Sequence, residues 1–371
     1  GSVYSTTVNT YNARDQITQV RQYAGPEGSG TYQDTTMTYD GYGRLKTRHV
    51  PEQNVGTNTV WTYNADDTLN TITDARGAVT TFGYAGTNRH LLKTLTHTMP
   101  GSPTLNSSFQ YDAAGNRTSM TDGSGVTNYA YDQLSRLTSE SRTFAGLTGT
   151  FSISYGYNFA NQLISIAEPT QFGSSFSYGY DSEGRLNSVN GSPFAGVTNY
   201  ASNAQYRAWG GLKHLNYGNS KALDVTYNAR LQAATFTIPG VISKTYNYYA
   251  DGALRFSSDL TNHKWDRFYS YDHANRIKEA FSGAEARFEP QTNNRPYRQT
   301  FSYDQFNHTT ARLSLNWSTN YSTPANSYTN NRRDSWSYDA EGNLLAGADM
   351  NYSYDASGEI RTVETLEPFD N

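Results

Sequence analysis

The chain has no cysteine among its 371 residues, which removes disulfides, cysteine-ligated zinc and thiol nucleophiles together and leaves the redox compartment open. It has no apolar run of membrane-spanning length, and its first residues lack the basic and apolar regions of a signal peptide. No block of one charge sign exists. The 29 basic and 33 acidic residues are interspersed and leave a net charge of −4, which argues against a phosphate-tracking surface and so against nucleic acid as a partner. The seven histidines, His49, His90, His97, His214, His263, His273 and His308, show no His-Glu-x-x-His or other metal spacing, and no metal or cofactor is expected. Asp66, Asp67 and the turn at Asp74 gather carboxylates without the spacing of a calcium loop, so they read as turn caps. No pair among the acids has a reason for a shifted pKa, and catalysis is not expected.

Apolar residues are scarce at 36% and charged residues at 17%, so most of the chain is uncharged and polar. It is nevertheless 14% aromatic, with 31 tyrosines, and so holds buriable area that disordered segments lack. Aromatic and β-branched side chains favour pleated surfaces, and an all-β chain is expected.

A heptapeptide opened by tyrosine recurs fifteen times, at Tyr11, Tyr39, Tyr63, Tyr84, Tyr111, Tyr131, Tyr157, Tyr180, Tyr206, Tyr227, Tyr248, Tyr271, Tyr303, Tyr338 and Tyr354. The copies lie 16 to 35 residues apart, a spacing that marks a repeat array rather than separate domains. Position 2 is Asp or Asn in twelve copies, and these side chains cap the turn they open. Position 5 is Gly, Asn or Asp in thirteen, the residue types that tolerate a left-handed backbone. Together they describe a hairpin on a type I turn with a Gly-type bulge, which sets Tyr 1 across from the Leu or Ile found at position 7 in eleven copies. Arg44, Arg136, Arg185 and Arg276 at position 6 each oppose an Asp, a pairing that marks that face as wet.

The residues on which the repeat rests are Tyr39, Tyr63, Tyr111, Tyr131, Tyr157, Tyr180, Tyr248, Tyr271, Tyr338 and Tyr354. Its turn residues are Asp40, Gly43, Asp112, Gly115, Asp181, Gly184, Gly252, Asp339, Gly342, Asp355 and Gly358. A second aromatic two residues before most of these tyrosines puts aromatics on one face and Ser, Thr, Gln and Asp on the other. Second turns such as Asp74 to Gly77 and Asp122 to Gly125 return the chain, so about 30 strands are expected. At roughly 4.8 Å per strand such a sheet would be roughly 140 Å wide, and it must curl or fold onto itself. A hollow curl is favoured over a collapsed sandwich, because so many inward residues are tyrosines whose hydroxyls need a partner or water.

The heptapeptides YDGYGRL, YDAAGNR, YDSEGRL and YDAEGNL resemble the YD repeats of Rhs proteins, of the B/C component of insecticidal toxin complexes and of teneurin adhesion proteins. The resemblance covers nearly the whole chain. It implies tandem antiparallel β-hairpins forming a large spiralling sheet, part of a hollow β-shell that in Rhs and toxin-complex members encloses a C-terminal toxin. It also implies a secreted or cell-surface location. Rhs-type shells usually finish with an Asp-Pro-containing motif that plugs the shell and, in many members, cleaves the chain. This sequence has no Asp-Pro pair and ends eleven residues after YDASGEI, so neither self-cleavage nor a toxin is assigned to it.

The expected organisation is a Gly1-Ser2 cloning remnant followed by one repeat array over residues 3–371, interrupted near 21–34, 96–108 and 281–335. The expected role is structural, a length of shell wall that encloses or displays another polypeptide such as a toxin domain or the rest of a longer parent chain. The alternative is an adhesion or carbohydrate-binding module using the irregular loops, with Trp317 and Tyr321 as candidate glycan contacts. Open sheet edges are expected at both ends and would permit edge-to-edge self-association.

Overall fold

The computed structural model describes residues 4–86, 90–168, 173–194, 196–290, 295–323 and 325–365, so Gly1, Ser2 and parts of the 281–335 interruption lie outside the described residues. Each of the fifteen heptapeptide tyrosines is the last residue of a strand, as in Thr6–Tyr11, Tyr32–Tyr39 and Thr59–Tyr63. The first 27 strands pair antiparallel with their neighbours in chain order, from Thr6–Tyr11 through Thr319–Asn320, as one continuous meander. A separate four-stranded sheet follows, Ser337–Tyr338, Leu344–Gly347, Met350–Tyr354 and Ile360–Thr365.

The turn chemistry explains the hairpins. The N–H of Asp40 donates to the carbonyl of Arg44 and the N–H of Gly43 to that of Asp40, while the ladder slips one residue so that Tyr39 faces Leu45. Position 5 is left-handed in all fourteen copies whose residue is described, including the two that are neither Gly, Asn nor Asp: Ser135 at φ 58° and Leu231 at φ 63°. Leu231 is exposed, so it gains no packing in return for a conformation that costs a branched side chain roughly 1–2 kcal/mol. Leu231→Gly is expected to raise stability by about 1 kcal/mol in urea unfolding; no change would mean that the turn is held elsewhere.

The sheet is one layer. Only nine hydrophobic residues are buried among the described residues, and most of them are alanines. The accessible surface is 21994 Å², against about 15,000 Å² for a compact globule of this mass. A sandwich would have buried the aromatic face, so the collapsed alternative does not form.

Residues 266 to 300 positions apart meet, which shows how the sheet curls. The N–H of Asn54 donates to the carbonyl of Ala340 at 2.9 Å, and Arg76 donates to the carbonyl of Asp355 at 3.1 Å. Tyr4 donates to the carbonyl of Asp304, accepts from Arg276 at 3.0 Å and packs edge-on to His273. Each contact joins the turn rim opposite the heptapeptides, early in the chain, to the heptapeptide rim late in the chain. The sheet therefore winds as a spiral, with strands roughly along its axis and rim stacked on rim. With about 24 residues per hairpin, one turn takes 11 to 12 hairpins, a circumference of ~110 Å and a diameter of ~35 Å. Packed sheets lie only about 10 Å apart, so a lumen remains. The spiral has free edges at Thr6–Tyr11 and at Ile360–Thr365, each paired on one side only.

Candidate functional site

The working unit of this wall is the joint between neighbouring hairpins. The ladder linking one hairpin to the next stops three residues short of the tyrosine, at Thr36, Val60 and Thr81 in the first three joints, so the hairpins part at the heptapeptide rim. The tyrosine hydroxyl bridges the gap. Tyr39 donates to the carbonyl of Ile17, Tyr63 to Leu45, Tyr180 to Leu163, Tyr248 to Ala233, Tyr271 to Leu254 and Tyr354 to Leu344, at 2.7 to 3.0 Å. Tyr84, Tyr111, Tyr131, Tyr206, Tyr227 and Tyr303 do the same. In all twelve the acceptor is the residue paired with the preceding hairpin's tyrosine. Burial pushes the phenols of Tyr63, Tyr131, Tyr248 and Tyr271 up. These hydroxyls are satisfied within the wall and need no water-filled lumen, which corrects the reason given for the hollow curl though not its outcome. Tyr180→Phe is expected to cost about 1 kcal/mol, read as faster hydrogen exchange in the strands at that joint.

Position 6 also reaches the next hairpin, which corrects its reading as a wet ion pair. Arg44, Arg136, Arg185 and Arg276 hold their own position-2 Asp at 2.6 to 2.8 Å. The same guanidinium groups stack on Tyr63, Tyr157, Tyr206 and Tyr303 of the following repeat, 4.5 to 4.9 Å from the ring centres. Gln16, Gln162 and Gln232 at the same position donate instead to the carbonyls of Gly43, Gly184 and Gly252. Sequence reasoning missed this because the partner lies one repeat away, and its only trace is the recurrence of Arg or Gln at position 6 in eight of the fifteen copies.

Six of the position-2 carboxylates, Asp40, Asp112, Asp132, Asp181, Asp272 and Asp355, sit below the ordinary carboxylate range. For Asp40, Asp181, Asp272 and Asp355 burial is the largest influence and pushes upward, but their backbone and side-chain donors outweigh it. For Asp112 the Asn116 amide leads, and for Asp132 the N–H of Arg136. Asp122 on the opposite rim is lowered to about 2, chiefly by Arg142. A folded pKa below the unfolded value of about 3.9 gives stability that is present above pH ~4 and lost as pH falls through the folded values. Loss of sheet signal between about pH 4 and pH 2 is the expected result of a circular-dichroism titration, and Asp40→Asn with Asp181→Asn should make it less steep. A flat signal down to pH 2 would show that these carboxylates do not hold the turns.

Asp339 and Gly342 join a second constellation, the contact between spiral turns. The Glu341 carboxylate accepts from Ala75 N–H at 2.7 Å and Gln53 Nε2 at 3.0 Å, above the Asp74 turn. Arg332 donates to Asn54 at 2.9 Å, and a side chain at Gly342 would lie 2.8 Å from the Glu52 carbonyl oxygen. Gln53, Thr59, Ala78 and Ala356 are buried there.

The interruption near 281–335 holds a third constellation. On strands Leu254–Asp259, Arg267–Tyr271 and Ile277–Ser282 the otherwise polar face carries Phe256, Phe268 and Phe281, and the fully buried helix Gly283–Ala286 with Phe288 folds over it. The segment thus caps a sheet face. Asp266, 0% exposed, accepts from Asp259 N–H at 2.6 Å, Ser258 Oγ at 3.2 Å and Arg287 at 2.8 Å, with His263 at 3.1 Å. Trp317 lies at a hairpin tip, 44% exposed, with the Lys264 ammonium 5.7 Å over one ring face. Tyr321 is exposed on the strand side of that tip. No group of three or more His, Asp or Glu among the described residues is arranged to hold a metal.

The Rhs repeat family model matches residues 111–148, the hairpins of Tyr111 and Tyr131. That stretch resembles an Rhs repeat. No curated protein sequence matches it. Among solved structures, the crystal structure of TcdB2-TccC3 is similar at a TM-score of 0.75 and 16% identity, over 99% of this chain and 23% of that one. TcdB2-TccC3-TEV matches at 0.74 and 15%, over 98% and 22%. The Photorhabdus luminescens Tc holotoxin pore matches at 0.73 and 15%, also over 98% and 22%. The chain therefore has the fold of these structures along nearly its whole length and spans less than a quarter of theirs.

Proposed function

We propose that this chain is a non-catalytic length of shell wall whose role is to enclose or display another polypeptide, either a toxin domain or the remainder of a longer chain. The observation that supports this most is the stacking of rims 266 to 300 residues apart, which winds a single-layer sheet into a spiral with room inside. A wall suits that task because its strength lies in the joints: most hairpins are fastened to the next by a tyrosine hydroxyl and several also by a guanidinium or amide. The same reading places the protein outside the cell or at its surface, and no helix among the described residues is long and apolar enough to cross a membrane. Small-angle X-ray scattering with in-line mass determination tests the proposal. A monomer whose distance distribution is depleted at short distances, as a cavity requires, supports it; a compact distribution at monomer mass overturns it.

A further inference from the structure

The contact between spiral turns uses only part of each rim. On the heptapeptide rim it covers the turns from Asp272 to Gly358, and on the opposite rim the turns up to Ala78. Among the described residues, the heptapeptide turns between Tyr39 and Tyr249 make no such contact, and four of them carry large exposed apolar side chains at their tips: Tyr42, Leu134, Phe159 and Trp209. The uncovered opposite rim likewise exposes Leu147, Val241, Leu260 and Trp265. Exposed apolar side chains set singly are ordinary, but a row of them along a rim that is elsewhere an interface marks a contact surface.

We propose that the uncovered heptapeptide rim of one copy of this chain stacks on the uncovered opposite rim of a second copy, repeating between molecules the contact the chain makes with itself. Continuity with the internal interface carries the argument. In that interface an opposite-rim N–H meets the position-3 carbonyl, as Asn54 meets Ala340, and a position-4 carboxylate, Glu341, receives N–H donors from the opposite rim. The uncovered rim offers the same features, for YDSEGRL places Glu183 where YDAEGNL places Glu341, and there Glu183 is exposed and held by its own Arg185 at 3.0 Å. The opposite rim offers the Asp122 to Gly125 turn, a counterpart of the Asp74 turn that receives Glu341. The two surfaces differ, so the contact is head-to-tail and does not close: each added copy leaves one rim of each kind free.

Sedimentation velocity across a concentration series tests this with two folded variants, checked by circular dichroism. Leu134→Ser with Phe159→Ser alters the heptapeptide rim, and Leu147→Ser with Val241→Ser alters the opposite rim. The wild-type chain is expected to grow past the dimer as concentration rises, and each variant alone to weaken association about tenfold or more. Mixing the two should yield dimers and nothing larger, because only one productive pair of rims remains. Phe159 is fully exposed, so Phe159→Ser alone serves if a double variant misfolds, with a smaller expected drop. A wild-type chain that stays monomeric at every concentration overturns the proposal. So does association that survives both pairs of changes, which would assign the contact to the free edge strand Thr6–Tyr11.

Discussion

Asp266→Ala is expected to cost about 3 kcal/mol, because it strips the acceptor from a buried N–H and one anion from the half-buried Arg287. The Asp266 carboxylate has no solvent exposure and gathers the Asp259 N–H, the Ser258 hydroxyl, His263 and Arg287. Arg287 retains Glu289 at 2.8 Å, which softens its loss, whereas the Asp259 N–H is left buried with nothing to donate to. That N–H sits at the end of strand Leu254–Asp259, so the cap of helix Gly283–Ala286 over Phe268 should come loose with it. Asp266→Asn keeps the acceptor and loses the charge, and should cost less. Hydrogen exchange over residues 254–288 is the measurement: exchange accelerated there and unchanged at Tyr111 to Tyr157 is expected. Unchanged exchange at both places would mean that the cluster contributes no local stability.

Gly125→Ala should cost about 3 kcal/mol, and its neighbour supplies the control. Gly125 has φ 148°, and a Cβ there would lie 1.9 Å from the Thr143 carbonyl oxygen, a backbone atom that moves only if strand Leu137–Phe144 moves. Gly123, two residues earlier in the same turn, has nothing within 4 Å of the equivalent position, so Gly123→Ala should change stability by roughly 0.5 kcal/mol or less. Because Gly125 lies away from the rim contacts between spiral turns, where hairpins are held by their neighbours, the penalty should fall on the hairpins from Leu105 to Tyr157 first. Equal urea midpoints for the two variants would show that the strand yields without cost.

Particular residues show how far the sequence was legible. The heptapeptide turns were readable because turn geometry is local: Asp40 caps the N–H groups of Tyr42 and Arg44 in its own turn and Gly43 supplies its own left-handed backbone, whatever the rest of the chain does. The Tyr–Leu pairing followed for the same reason, since a turn with its bulge sets the register. The sequence leaves the tyrosine hydroxyl a choice between a partner and water, because its acceptor, such as Leu163 for Tyr180, belongs to the neighbouring hairpin, at a distance set by where the ladder stops. No local pattern separates Glu341, which meets the opposite rim, from Glu183, which does not.

By itself the sequence determined the repeat, the hairpins, the all-β class and the single aromatic face, because each rests on interactions within about ten residues. Tertiary structure alone decided that hairpins are fastened by Tyr hydroxyls and position-6 donors, that Asp266 is buried, and that the rim at Glu341 comes to rest on the rim at Gln53. Those contacts depend on the small rotation between neighbouring hairpins, summed over 11 to 12 of them. A residue pattern repeated almost identically in each hairpin carries no mark of where that sum closes.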